Sequence, residues 1–144
     1  GGIEVQVDGQ PFDAAQSMGY RGIMLRDLPN LAVVLGYTNA SWTLKADLSS
    51  EYFCRLINHL DAIGMRQCTP RNSGEVQPAP FLDLASGYIQ RAAAKLPTQG
   101  DRAPWKLHQN YLLDLALLRF GKIADGYLVF SAPQAQASAQ VLAP

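Results

Sequence analysis

The feature that most constrains the fold of this chain is a run of apolar residues that recur every three or four positions. This spacing places them on one face of an α-helix, because a helix completes a turn every 3.6 residues. Asp47 falls in the first turn of such a helix and Gly64 follows its end, where each residue type is favoured. The sequence therefore predicts one long helix over Thr43–Ile63. Its apolar face comprises Leu44, Leu48, Tyr52, Phe53, Leu56, Ile57, Leu60 and Ile63.

Short β elements are predicted ahead of this helix. Residues 3–7 alternate apolar and polar side chains and run into Asp8-Gly9, the strongest two-residue signal for a β-hairpin. Tyr20–Leu25 has the pattern of a short strand, and Asp27–Asn30 that of a turn. Leu31–Leu35 is apolar throughout, which is typical of a strand covered on both faces, and so predicts a buried strand of a sheet.

Weaker patterns follow the long helix. Residues 65–80 are rich in Pro, Gly, Asn, Ser and Gln, which predicts a connecting loop. Helical spacing predicts a second helix over 81–92 and a third over Trp105–Phe120. Tyr127–Phe130 has the composition of a short strand, and residues 131–144 that of a disordered tail.

Composition excludes several classes of partner. The chain has 12 basic and 12 acidic residues, so no net charge attracts nucleic acid or an anionic membrane. Its apolar runs are far shorter than the roughly 20 residues of a membrane-spanning helix. The two cysteines lack CxxC spacing, so we expect neither a metal site nor a disulfide framework, with Cys54 a buried thiol and Cys68 a loop thiol. A cytoplasmic protein fits these features.

Familiar catalytic motifs do not occur in the sequence. GxGxxG, GxxxxGK[ST], GxSxG and HExxH are all absent, which disfavours an independent enzyme of those classes. No residue is therefore assigned a catalytic role. His59 lies off the apolar face of the long helix, where a solvated side chain is expected.

Two segments are candidates for binding. Gly36–Trp42 lies between a predicted strand and the long helix, the position at which open α/β sheets bind ligands. The first N–H groups of a helix lack intrahelical partners and favour an electron-rich group. The alternative is a capping turn, in which Asn39 or Ser41 satisfies those donors and Trp42 belongs to the core. Trp105–Tyr111 suits a polar binding surface, or else a helix with its Trp inward and its polar side chains in water.

At these segments the sequence resembles the C-terminal part of bacterial FAD-containing monooxygenases of the Baeyer–Villiger type, and is similar to their mycobacterial thioamide-activating subgroup. The resemblance rests on Gly36–Leu48, Glu51-Tyr52 and Cys54-Arg55-Leu56, and then on Ser86-Gly87-Tyr88, Gln90-Arg91, Leu96-Pro97, Gln99-Gly100 and Arg102–Leu112. It implies an α/β fold. We expect an incomplete FAD-binding, Rossmann-like domain with an N-terminal hairpin, short strands and one long helix, followed by a mainly helical extension.

The resemblance also implies a division of the chain. Residues 1–64 would be the C-terminal return of the FAD-binding domain, 65–80 a connecting loop, 81–130 the helical extension and 131–144 the tail. The implied cofactors are FAD and NADPH. The residues expected to contact FAD are Asn39, Ala40, Ser41, Trp42, Thr43 and Leu44, and those expected on the NADP or substrate side are Trp105, Lys106 and His108.

A complete enzyme of this kind would insert one oxygen atom from O2 into ketones or oxidise sulfur compounds. The glycine-rich motifs and the catalytic arginine of the family do not occur here, so the chain alone is expected to be inactive. Its partners would be the remainder of its own polypeptide and a small organic substrate, and an orphaned Leu31–Leu35 strand would favour oligomerisation. The alternative is a non-enzymatic helical module for protein interaction, which would be a stable monomer without an exposed apolar face.

Overall fold

The computed structural model describes residues 3–80 and 95–132, and its longest element is the predicted helix. Helix α1 spans Trp42–Ala62, which confirms the prediction to within one residue at each end. Gly64 follows with a φ of +69°, the left-handed conformation that commonly ends a helix. Asp47 lies beyond the first turn, which contains no acidic residue, so the predicted placement of Asp47 in that turn is wrong.

The face that α1 buries is narrower than the apolar pattern predicts. Leu48, Tyr52 and Leu56 are buried, whereas the exposed fractions of Leu44, Ile57 and Ile63 are 39%, 43% and 41%. Two polar residues, Lys45 and Ser49, take buried positions beside the apolar ones. The inward face is therefore partly polar near the start of the helix.

The strands among the described residues are short and pair two by two, always antiparallel. They are β1 (Val5–Val7) with β2 (Gln10–Phe12), β3 (Gly19–Tyr20) with β4 (Met24–Leu25), β5 (Gln67–Pro70) with β8 (Leu128–Ser131), and β6 (Pro78–Ala79) with β7 (Gln99–Gly100). A 3₁₀ turn, Ala14–Gln16, follows β2. The N-terminal hairpin is confirmed, and Asp8 and Gly9 both adopt the positive φ that its tight turn requires.

Two predictions about strands and loops are corrected. Tyr20–Leu25 is not one strand but the hairpin β3–β4, because Arg21 and Gly22 adopt positive φ angles that reverse the chain. Residues 65–80 contain β5 and β6 rather than loop alone. The composition of this segment does not reveal β5, since its pairing partner β8 is about sixty residues away. That partner confirms the strand predicted near Tyr127–Phe130.

The segment Leu31–Leu35 is not a buried strand. It forms no strand, and the exposed fractions of Leu31 and Leu35 are 39% and 37%. Val33 N donates to Ile23 O at 2.7 Å, but no described strand runs beside the segment to complete a ladder. A strand needs a neighbour for its backbone groups, so this apolar segment forms no strand and stays exposed.

The third predicted helix is shorter than its pattern suggests. Helix α2 begins at Tyr111 and runs to Leu115, and its last turns, Ala116–Phe120, are π-helical. Asn110 caps it by accepting a hydrogen bond from Leu113 N at 3.1 Å. Residues 105–110 are irregular, because Gln109 has a φ of +50° that a helix cannot contain. The helix predicted over 81–92 and nearly all of the predicted tail lie outside the described residues.

One apolar core unites the described residues. Tyr20 and Met24 from the β3–β4 hairpin, Tyr52 and Leu56 from α1, and Trp105 all belong to it. The same cluster includes Cys68 of β5, Leu118 of α2 and Leu128 of β8. The chain is thus an α/β fold of one long helix and short antiparallel strands. None of the helices in the described ranges is long and apolar enough to cross a membrane.

The environments of the two thiols are the reverse of those predicted. Cys54 is exposed on α1, and Cys68 is buried in β5, where burial raises the pKa of its thiol. Since the thiolate is the reactive form, we expect a thiol reagent to label Cys54 quickly in the folded chain and Cys68 only after denaturation. Rapid labelling of both cysteines in the folded chain would contradict the burial of Cys68.

Candidate functional site

The six residues predicted to contact a cofactor lie at the exposed N-terminus of α1. Asn39, Ala40 and Ser41 form the turn before the helix, and Trp42, Thr43 and Leu44 its first turn; all six are exposed. Ser41 is the N-cap residue, but its side chain makes no capping hydrogen bond. Its hydroxyl instead lies 2.8 Å from Thr43 Oγ1. No side chain in residues 3–80 or 95–132 accepts a hydrogen bond from the first N–H groups of the helix.

The alternative of a simple capping turn is wrong. Asn39 does not cap the helix, because its side-chain amide donates to Gln109 O at 3.0 Å. Trp42 does not belong to the core, since 57% of its surface is exposed. Its ring lies against the backbone of Gly36, where a Cβ would come within 2.0 Å of Trp42 Cδ1. Gly36 therefore allows the close approach that holds this Trp at the surface.

The structure brings the two candidate segments together through Gln109. Thr38 N and Thr38 Oγ1 donate to Gln109 Oε1 at 3.0 and 3.1 Å. With the bond from Asn39 to the Gln109 carbonyl, three hydrogen bonds join the turn before α1 to the residues before α2. Segments separated by about seventy residues in sequence thus form one surface.

The residues predicted on the second segment occupy different environments. Trp105 is 1% exposed and belongs to the core, where its ring packs edge to face with Tyr20 and Tyr127 at centroid distances of 5.2 and 5.8 Å. Lys106 is exposed. His108 is half-buried, and its Nε2 atom is inaccessible to solvent without a hydrogen-bond partner in the described part of the chain. This places an available polar atom of His108 inside the protein.

A buried ion pair lies directly behind the turn. Lys45 Nζ donates to Asp114 Oδ2 at 2.9 Å, and the Tyr37 hydroxyl donates to the same oxygen at 2.8 Å. The side chains of Lys45 and Asp114 are 6% and 8% exposed. Burial, and then the hydrogen bond to Asp114, raise the pKa of Tyr37. The phenol therefore remains a proton donor at neutral pH.

Sequence reasoning included Gln109 in a candidate segment but missed its contacts with the turn, and it missed the buried ion pair. Lys45 did carry a signal, because it falls three residues before Leu48 on the inward face of α1. A charged residue at such a position requires a buried partner of opposite charge. The partner, Asp114, is 69 residues away, and no local pattern identifies it.

Two cavities of about 190 Å³ each adjoin the ion pair. One opens beside Gly36 and Trp42, next to the exposed turn. The other extends along Pro104 and Lys106 towards Arg21 and Asp125. Their shared wall consists of Lys45, Leu107, His108 and Asp114. This wall combines charged, hydrogen-bonding and apolar groups, which suits a small organic molecule with a polar end.

A second polar cluster lies where Arg21 and Asp125 line the second of these cavities. Asp125 Oδ2 accepts from the Tyr20 hydroxyl at 2.7 Å and from Arg21 at 2.8 Å. Burial raises the pKa of Tyr20 and of Tyr52, whose hydroxyls lie 3.5 Å apart. The polar groups of this cluster form hydrogen bonds with one another, so they shape the cavity and are not free to donate to a ligand. Within residues 3–80 and 95–132, no three His, Cys, Asp or Glu side chains are placed to share a metal ion.

Comparison with known proteins gives the chain clear relatives. It is 45% identical over 140 residues to the FAD-containing monooxygenase EthA of Mycolicibacterium smegmatis, covering 96% of the chain and 28% of that protein. It is 48% identical over 132 residues to the enzyme of the same name from Mycobacterium tuberculosis, with 91% and 27% covered. It is 45% identical over 132 residues to the probable FAD-binding monooxygenase AlmA of Acinetobacter baylyi, with 90% and 26% covered.

The chain spans little more than a quarter of the length of these relatives. No family model matches it. No solved structure matches it. The resemblance that the sequence itself suggested is thus confirmed by homology to one segment of such monooxygenases.

Proposed function

We propose, from the premise that this chain is homologous to a segment of FAD-containing monooxygenases, that it forms one wall of a flavin site in a longer enzyme. The observation that carries the proposal is the uncapped, exposed N-terminus of α1, preceded by Asn39–Ser41. In this reading residues 1–64 complete an FAD-binding, Rossmann-like domain. The remaining walls belong to the part of the relatives that the chain does not span.

The residues present fit the pyrimidine edge of a flavin. That edge is rich in acceptor atoms and gains negative charge on reduction, and the start of a helix offers N–H donors and partial positive charge. Leu44 N donates to the Ser41 carbonyl at 3.3 Å, but neither the Ser41 nor the Asn39 side chain accepts from the first N–H groups, so an external acceptor can bind there. Trp42 and Leu44 add exposed apolar surface beside them. The chain would therefore bind and orient the ring from one side.

The activity we propose for the whole enzyme is NADPH-dependent insertion of one oxygen atom from O2 into ketones or oxidation of sulfur compounds. FAD, when bound, supplies the redox and oxygen-transfer chemistry, as cofactors do in such enzymes. The residues of this chain orient the ring and exclude water from one side of it. Alone, the chain would be inactive.

The NADP or substrate side is proposed to be the cavity wall that contains His108. Its unpartnered Nε2 can exchange a hydrogen bond with a ligand, and Lys106 can attract an anionic group from the rim. Trp105 would support this wall from the core beneath it. The exposed segment Leu31–Leu35 favours this function over an independent helical interaction module, which would leave no apolar face uncovered.

The flavin role can be tested with a chimera in which this chain replaces the matching segment of the Mycolicibacterium smegmatis relative. Thr43→Asp adds a negative charge in the first turn of α1. This charge should stabilise the helix slightly, because it complements the helix dipole. It should also repel the flavin edge and raise the FAD dissociation constant about tenfold.

The matched control is Asn58→Asp, which adds the same charge to an exposed position on the same helix beyond its first turn. It should leave FAD affinity unchanged. Fluorescence titration of FAD measures the affinity, and urea unfolding measures stability. A folded chimera that binds no FAD, or equal effects of both substitutions, would contradict the proposed site.

A further inference from the structure

We propose that Gln109 and Asp114 are positioning residues that hold the flavin-facing turn in shape from the opposite part of the chain. The inference rests on the proposed function and names the device that orients its site. Both residues lie at the start of α2, within one turn of Asn110, the N-cap residue. We call the pair the 109–114 clamp.

The 109–114 clamp makes hydrogen bonds to residues on both sides of the exposed tip of the turn. On the first side Gln109 accepts two hydrogen bonds from Thr38 and one from Asn39. Asp114 accepts from residues on both sides of the tip, from Tyr37 before the turn and from Lys45 in the helix after it. The tip, residues 40–44, makes no side-chain hydrogen bond to any other described segment. Its position therefore depends on the two flanking anchors.

The backbone of Gln109 supports this interpretation. Its φ of +50° is unfavourable for a residue with a long side chain, and such a conformation persists only when surrounding contacts impose it. The contacts that impose it are those with Thr38 and Asn39. Strain of this kind commonly accompanies functional sites, because it orients a group that the fold alone would not.

Helix α2, which contains Asp114, is also joined to α1 at its C-terminal end. Arg55 donates to the carbonyl oxygens of Leu118 and Gly121, at the end of α2, at 2.5 and 2.8 Å. Helix α2 is therefore fixed to α1 at both ends, with Asp114 holding its start. A displacement of residues 106–109, which line the cavities, would move the turn through Gln109. Ligand binding in the cavity and orientation of the flavin would thus be coupled.

Two substitutions at Gln109 distinguish the effect of its hydrogen bonds from the effect of its side-chain size. A backbone N–H can only donate, so the atom of Gln109 that faces Thr38 N must be its oxygen. Gln109→Glu keeps an acceptor at this point, whereas Gln109→Met keeps the length of the side chain without one. Arg119→Ala is the matched control, because Arg119 lies on α2, which follows Gln109 in the chain, and pairs with Glu51 of α1, away from the turn.

Two measurements test the clamp. In the 144-residue chain, amide hydrogen exchange of Thr38 should accelerate about tenfold in Gln109→Met and stay unchanged in Gln109→Glu and Arg119→Ala. In the chimera, Gln109→Met should raise the FAD dissociation constant about tenfold and shift the flavin absorption spectrum. The spectral shift reports a change around the flavin ring, which a loss of stability alone would not produce.

The outcomes distinguish this inference from the function on which it rests. Unchanged exchange of Thr38 in Gln109→Met would overturn the clamp itself. Faster exchange together with unchanged FAD affinity and spectrum would overturn its positioning role and leave the flavin site intact. Failure of the folded, unsubstituted chimera to bind FAD would instead overturn the proposed function.

Discussion

Replacing Asp114 by alanine should lower the free energy of unfolding by about 3–5 kcal/mol, because it leaves the buried Lys45 without its counter-charge. The Tyr37 hydroxyl loses its acceptor in the same substitution. Burial and Asp114 both raise the pKa of Tyr37, so removal of the carboxylate should also lower that pKa. Urea unfolding and ultraviolet titration measure the two effects. Since a domain is commonly stable by about 5–15 kcal/mol, this loss would be severe.

The control for this prediction is Asp101→Ala, which removes an exposed ion pair with Arg102. Exposed pairs contribute little, because water and salt screen both charges, so no measurable change is expected. The double substitution Lys45→Met with Asp114→Leu should recover much of the stability, since it removes both charges together. Equal stabilities of Asp114→Ala and Asp101→Ala would show that the buried pair does not form.

Trp105→Ala should lower the free energy of unfolding by a similar amount, about 3–5 kcal/mol, because it leaves a large cavity in the core. Trp105 is 1% exposed and its ring meets Tyr20 and Tyr127 edge to face. Its indole N–H has no partner among the described residues. Trp105→Phe should therefore cost much less, since it removes an unpaired donor and keeps an aromatic ring.

Phe120→Ala provides the matched aromatic control, because the exposed fraction of Phe120 is 74%. Its effect on the free energy of unfolding should stay within about 0.5 kcal/mol. Urea unfolding of the three variants, followed by circular dichroism, ranks them. If Trp105→Ala were as stable as Phe120→Ala, Trp105 would belong to an open binding surface rather than to the core.

Patterns among neighbouring residues correctly predicted the structural elements that interactions between neighbouring residues determine. The periodicity around Leu48 and Tyr52 identified α1, and Asp8-Gly9 identified the first hairpin, because both signals lie within neighbouring residues. The exposed turn at Asn39–Leu44 was also placed correctly at the start of the helix. Its likeness to a flavin-binding segment came from the family resemblance and not from periodicity.

Features set by distant residues could not be predicted in this way. Strand β5 exists because β8 pairs with it, and Cys68 is buried for the same reason. Leu31–Leu35 has the composition of a covered strand, but no described neighbour covers it. The pairing of Lys45 with Asp114 joins two halves of the chain, so neither residue reveals it alone.

The attachment of α2 to α1 at both ends has a consequence for synthesis on the ribosome. A helix of about ten residues is too short to be stable by itself, so α2 can form only once α1 is present. Lys45 emerges 69 residues before Asp114, which at ordinary elongation rates is a delay of about 3–14 s. During that interval the charged end of α1 must remain hydrated. The polar face between α1 and α2 can therefore close only after Asp114 has been synthesised.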